Sequence, residues 1–186
     1  MKTVAVLALQ GGFIEHIKIL NSLSIKSFEI RKEEDIKKPF DALIIPGGES
    51  SVISKLLHNF SLFEEIKTRI KKGMPIFGTC AGAILLANDL EGREAYFKTM
   101  EISIKPNGYG SQLDSFIEND KFGDEVISQI FVRAPIITKI SNKVSVLSKT
   151  RGIVTAARQE NQLVTTYHPE LITDAVHKYF LGMDKN

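Results

Sequence analysis

The chain has one cysteine, and it sits in Gly78-Thr79-Cys80-Ala81-Gly82, after the apolar run Met74-Pro75-Ile76-Phe77 and before Ala83-Ile84-Leu85-Leu86-Ala87. A nucleophile on a sharp strand-to-helix turn needs small residues two before and two after it, because the backbone folds back on itself there. The following helix N-terminus favours thiolate over thiol. A thiolate nucleophile also needs a base. Three of the four histidines, His16, His58 and His177, fall in helical segments and read as helix-surface or interface residues. His168 differs, because it ends the apolar run Leu163-Val164-Thr165-Thr166-Tyr167 and precedes Pro169-Glu170. Side chains two apart in an extended segment point the same way, so Glu170 can orient the His168 ring and stabilise its protonated form. Pro46-Gly47-Gly48-Glu49-Ser50 supplies a third part. Its two glycines let backbone amides approach a ligand, which suits an oxyanion hole made by Gly47 and Gly48 with the amide of Ala81. It lacks the Gly-Lys-Ser/Thr ending of a phosphate-binding P-loop.

The elements that position these residues alternate strand with helix. Val4 to Leu9 is a continuous apolar run, as in a strand buried on both faces. Phe13, Ile14, Ile17, Leu20 and Leu23 follow at helical spacing. Ile25 to Ile30 and Asp41 to Ile45 read as strands, and roughly 50–60 and 62–72 as helices. Such alternation predicts a doubly wound, mostly parallel α/β sheet flanked by helices. The second half reads as antiparallel additions: Phe97 to Ile104, Gln112 to Ile117, Gln129 to Val132, Lys143 to Leu147 and Ile153 to Ala157. Leu163 to Tyr167 then returns to the main sheet. A last helix from Thr173 or Asp174 is expected to bury Val176, Tyr179, Phe180 and Met183, while Asn88 to Tyr96 reads as a loop.

Composition narrows the function classes. At 186 residues, 43% hydrophobic and 25% charged, the chain can fill a core, and residues 1–186 read as one domain without repeat or linker. Twenty-four basic against 22 acidic side chains give a net charge of +2, which argues against a broad basic face for nucleic acid. One cysteine excludes an internal disulfide and, without clustered histidines, a Cys/His zinc site. No metal or cofactor is expected. The apolar N-terminal run is too short to span a membrane and has no cleavage site, so a soluble cytoplasmic protein is expected.

Gly-Thr-Cys-Ala-Gly, the downstream His-Pro-Glu and the Pro-Gly-Gly-Glu-Ser loop resemble a class I, or triad, glutamine amidotransferase of flavodoxin-like fold. More narrowly, the chain resembles the glutaminase subunit of pyridoxal 5′-phosphate synthase. That likeness extends through Leu7 to Gly11 with Glu15-His16, Asn107-Gly108-Tyr109-Gly110, Asp114-Ser115-Phe116 and Val132-Arg133-Ala134-Pro135. It implies that Cys80 attacks the side-chain amide of L-glutamine, that His168 shuttles the proton and that Glu170 orients His168. It also implies that Gly48, Glu49, Ser50, Val132 and Arg133 contact the substrate, and that ammonia passes to a barrel-shaped synthase partner. The pattern breaks at Ser111, where the family usually carries an arginine that contacts glutamine. Serine supplies no guanidinium. A glutaminase serving another synthase, such as imidazole glycerol phosphate synthase, and a degenerate partner-binding protein are the alternatives. A non-catalytic or stress-related relative of the same shape fits less well, since Ala81 rather than His follows the cysteine.

Overall fold

A computed structural model of the chain describes residues 2–109 and 115–183. In its first half, β1 (Thr3–Leu7), β2 (Lys26–Ile30), β3 (Ala42–Ile45) and β4 (Ile76–Thr79) alternate with helices. The helices are α1 (Phe13–Ser22), the single turn α2 (Glu33–Ile36), α3 (Ser50–Asn59) and α4 (Phe63–Lys71). After α5 (Ala81–Leu86) the chain is mainly β: β5 (Ala87–Leu90), β6 (Met100–Lys105), β7 (Ser115–Phe122), β8 (Glu125–Val132), β9 (Ile136–Ile140), β10 (Ser145–Thr150), β11 (Ile153–Gln159) and β12 (Gln162–Thr165). A 3-10 turn, Pro169–Leu171, and α6 (Ala175–Gly182) follow.

Among the described residues, ten strands form one sheet in the order β2-β1-β3-β4-β12-β11-β9-β6-β5, with β10 also paired to β11. From β2 to β12 the strands run parallel. The neighbours β12 to β11, β11 to β9 and β9 to β6 are antiparallel. The strand/helix alternation and the antiparallel second half thus give the flavodoxin-like α/β sheet that the sequence leads one to expect. Alternate residues of each central strand feed opposite layers. Ala5, Leu7, Leu43 and Ile45 pack with Ile53 and Leu57 of α3, Ile66 and Ile70 of α4 and Leu85 of α5. Val4, Val6, Ile44 and Phe77 pack with Leu20 of α1 and with Val176 and Phe180 of α6.

Several elements differ from the sequence reading. Asn88 to Leu90 belong to the edge strand β5 rather than to a loop; Ala87 and Leu90 are buried, while Asn88 and Asp89 face solvent. An edge strand carries polar residues on its open side without cost to the core. β7 extends through the polar run Glu118 to Lys121, because it pairs with β8 in a separate hairpin. β9 follows Pro135 and was not legible as a strand. Of the expected Gln112 to Ile117 strand, residues 112–114 lie outside the described residues, as does Ser111. Tyr179 is half-buried, edge-on to Phe122, rather than a core residue.

The join between β4 and α5 is tight. A Cβ added at Gly82 would lie 2.3 Å from the Ile45 carbonyl oxygen, and one at Gly78 would lie 2.7 Å from the Gly82 carbonyl carbon. The obstacle in both places is backbone, which cannot swing aside. Gly82→Ala is therefore expected to destabilise the protein by about 2–3 kcal/mol, read as a lower urea midpoint. An unchanged midpoint would show that the elbow does not need glycine there.

Candidate active site

Four parallel strands end on one edge of the sheet, and their following segments converge. Gln10-Gly11-Gly12 follows β1, Gly47 to Ser50 follows β3, Cys80 follows β4 and His168 follows β12. Together with Ile84, Arg93, Pro106, Asn107, Val132 and Arg133 they line a cavity of about 500 Å³. Open α/β sheets bind ligands at this carboxyl edge.

The register between β4 and β12 brings the thiol and the imidazole to the same place. Thr79 lies opposite Thr165 in the parallel pair, and the Cys80 amide donates to the Thr165 carbonyl at 2.8 Å. Cys80 itself has φ 47° and ψ −100°, in a region that L residues rarely occupy. Such strain costs on the order of 1–3 kcal/mol and persists only where the surroundings over-determine it. From β12 the chain passes Tyr167, and the His168 amide donates to the Ile130 carbonyl of β8 at 2.8 Å. A Cβ on Gly47 would lie 2.3 Å from His168 Cε1 and 3.3 Å from Cys80 Cβ. Glycine at 47 therefore makes room for the thiol–imidazole pair itself, a reason the sequence reading did not contain.

His168 is engaged on both sides. Its Nδ1 donates to Glu170 Oε1 at 2.7 Å, and the Cys80 sulfur beside the ring favours its charged form. With Nδ1 committed to Glu170, Nε2 is left for the sulfur. Burial works against a charged ring, but Cys80 and Glu170 more than offset it and raise the His168 pKa to about 10. Burial likewise opposes the Glu170 charge, yet the His16 and His168 rings hold its carboxyl below the ordinary range. Glu170 stands behind His168 rather than in the cavity wall, 1% exposed at its side chain.

Gly47, Gly48, Glu49, Ser50, Val132 and Arg133 all line the cavity with Cys80 and His168. Ala81 opens α5 beside Cys80 and is buried rather than part of the lining. Two backbone groups of the glycine loop are already engaged: Gly47 C=O accepts from Gly12 N–H at 3.0 Å, and Glu49 N–H donates to Gln10 Oε1 at 2.8 Å. Sequence reasoning did not single out Gln10, Gly12, Arg93 or Asn107 as cavity residues. The signal for the first two was their place directly after β1, which neighbours β3 in the sheet. It also misplaced His16 and His177, which are fully buried rather than on helix surfaces. His58 is exposed and stacks on Phe63, away from the site. Among the described residues, no group of three or more His, Cys, Asp and Glu side chains is arranged to hold a metal ion.

A thiol, an imidazole and a carboxylate in series at the carboxyl edge of a flavodoxin-like sheet define a class of α/β enzyme built for acyl transfer. Similarity to known proteins narrows the class. The chain matches the SNO glutamine amidotransferase family over residues 6–185, and it belongs to that family. It is 50% identical over 182 residues to the pyridoxal 5′-phosphate synthase subunit PdxT of Methanocorpusculum labreanum, covering 97% of this chain and 96% of that one. The protein of the same name from Clostridium botulinum is 42% identical over 187 residues, with the same two coverages. A crystal structure of a glutamine amidotransferase superposes with a TM-score of 0.92 at 36% identity, over 98% of this chain and 99% of that one. A glutamine amidotransferase from Thermotoga maritima, at 12% identity and a TM-score of 0.63 over 99% and 85% of the two chains, shares the fold.

The raised His168 value carries a stability signature. The folded protein holds this proton to about pH 10, whereas the unfolded chain loses it near 6.5. The stabilisation is thus fully present below pH 6.5 and is lost as pH rises through about 10. Urea unfolding of the parent and His168→Gln should show a stability gap that narrows over that window. A gap that stays constant or widens contradicts the buried imidazolium.

Proposed function

We propose that Cys80 is the nucleophile, His168 the proton shuttle and Glu170 the orienting carboxylate of a glutaminase that occupies residues 1–186 as a single domain. The protein is the glutamine-hydrolysing subunit of a pyridoxal 5′-phosphate synthase. Relatives 42–50% identical over nearly the whole chain, all named as subunits of that synthase, support this branch over a glutaminase for another synthase. The observation that carries the residue assignment is the meeting of Cys80 and His168, after adjacent parallel strands, on one cavity, with Glu170 hydrogen-bonded behind the ring.

L-Glutamine brings an α-ammonium and an α-carboxylate to a cavity lined by Glu49 and by Arg133 and Arg93. Opposite charges placed in this way complement the amino-acid head group, with Gly48, Ser50 and Val132 shaping the path to Cys80. The Cys80 thiolate adds to the side-chain carbonyl carbon. The resulting oxyanion is held by backbone N–H groups of the Gly47-Gly48 loop and of Ala81. His168, protonated, gives its proton to the departing nitrogen, and ammonia leaves a γ-glutamyl thioester on Cys80. The neutral ring then takes a proton from water as its oxygen attacks the thioester. Glutamate is released and both Cys80 and His168 return to their starting states. Throughout, Glu170 keeps Nδ1–H directed away from the sulfur, so that Nε2 does the transfer.

Ammonia released into water would largely protonate and lose nucleophilicity, so it passes directly to the barrel-shaped synthase subunit. A cytoplasmic location fits this role, and none of the described helices is long and apolar enough to cross a membrane. With the synthase subunit present, Cys80→Ala and Cys80→Ser should each lower glutamate release by at least about 10³-fold with the fold intact by circular dichroism. Retained turnover in either variant would overturn the nucleophile assignment.

A further inference from the structure

Behind Glu170 lies a second pair of imidazoles that the reaction above does not use. His16 of α1 and His177 of α6 are both 0% exposed. His16 Nδ1 and His177 Nε2 are 2.8 Å apart and share one hydrogen bond. On its other side, His16 Nε2 lies 3.3 Å from Thr79 Oγ1 and 3.7 Å from Glu170 Oε2. Glu170 Oε2 and His177 Nδ1 are buried and have no hydrogen-bond partner among the described residues. Glu170 is thus gripped on Oε1 by His168 and faced on Oε2 by His16.

The arrangement selects one tautomer of each ring. If His16 carried its proton on Nδ1, its bare Nε2 lone pair would face the carboxylate, and His177 would have to bury an unpaired Nδ1–H. An unmet buried donor is the costlier choice. With the proton on Nε2 instead, His177 Nε2–H donates to His16 Nδ1, and His16 Nε2–H points at Thr79 and Glu170. The group left unpaired at His177 is then only an acceptor lone pair. Burial favours the uncharged form of both rings: it pushes His16 down, against the opposing pull of Glu170, and His177 well down.

We propose that His16, backed by His177, is a positioning residue for glutamine hydrolysis: its Nε2–H, aimed at the second carboxylate oxygen, fixes the Glu170 rotamer and keeps Glu170 ionised, so that Oε1 stays on His168. This rests on the reading of Cys80, His168 and Glu170 given above. It makes the site a column of five side chains that runs from the cavity through the sheet edge to α1 and α6. The groups that face Glu170 are His168 and His16, with Thr79 against the His16 ring and the Glu15 carboxylate on the same turn of α1. A Cβ on Gly12 would lie 3.6 Å from Glu15 Oε2 and 3.7 Å from Glu170 Oε1. Burial is what opposes the charge on Glu170, and the His16 and His168 rings offset it.

His16→Phe keeps a ring of similar size and removes the N–H, whereas His16→Gln places an amide N–H near the former Nε2. With saturating glutamine and the synthase subunit present, His16→Phe should lower kcat about tenfold or more with little change in KM, as losing a group behind a catalytic ligand does. The acid limb of its kcat profile should move up by about one pH unit, because Glu170 then takes a proton more readily. His16→Gln should recover most of both. A His16→Phe enzyme with the parent kcat and acid limb overturns the proposal while Cys80→Ala still abolishes turnover. Should Cys80→Ala remain active, it is the triad reading that has failed. If His16→Phe does not fold, ring nitrogen NMR of the parent decides the matter. A protonated Nε2 and a bare Nδ1 on His16 are expected, and the reverse tautomer overturns the assignment.

Discussion

A parallel pairing of two short strands, β4 with β12, is the constraint on which the site depends. Thr79 stands opposite Thr165, and the Cys80 amide is tied to the Thr165 carbonyl. One strand ends at the thiol and the other, three residues later, at the imidazole, though the two lie far apart in the chain. A slip of one residue would turn every side chain of β12 to the opposite face. That slip is opposed by a strand buried along its whole length, with Leu163 in one layer of the core and Val164 in the other. The core therefore specifies the chemistry as well as the fold: it holds Cys80 in a backbone conformation that an isolated peptide would leave.

The second consequence of that pairing is electrostatic. The Glu170 carboxylate is almost wholly removed from water, which is costly unless its lone pairs are met. His168 meets one oxygen directly, and His16 presents its ring to the other. In a low-dielectric setting these contacts act more strongly than they would at a surface. The ring proposed to carry a proton in the first half of the reaction has its pKa raised to about 10 by Cys80 and Glu170, which favours the protonated form before substrate arrives. Little reorganisation is left for the chemical step, which is how a preorganised site lowers a barrier. The open side of the same ring meets a cavity whose walls carry both signs of charge, from Glu49 and from Arg93 and Arg133.

How much of this was legible in the sequence depends on the range of the interaction. Gly78 and Gly82 around Cys80 announce a tight turn locally, and the apolar runs of β1, β3 and β4 announce buried strands, since both signals lie within a few residues. His168-Pro169-Glu170 was legible because the ring and its carboxylate are neighbours in the chain. Other features depend on elements that meet only in three dimensions. His16 and His177 sit in helices of ordinary pattern, and only the packing of α1 and α6 on Phe77 brings their rings together at 2.8 Å. Arg93 follows an edge strand whose polar residues hid it, and β9 is short, follows a proline and pairs with strands distant in sequence. Gly47 was read correctly as a place for close approach, but what approaches is the His168 ring, a contact set by β12.

The most direct test of the account is to catch the acyl group on the sulfur. With isotopically labelled glutamine and the synthase subunit present, an acid quench during turnover followed by peptide mapping should find the labelled glutamyl group on the peptide containing Cys80, as a base-labile thioester. His168→Gln, impaired in releasing ammonia, should show less of it at early times. Steady glutamate production with no label on the Cys80 peptide, or with label on another residue, would contradict the claim that this strand-end thiol is where the amide bond is broken.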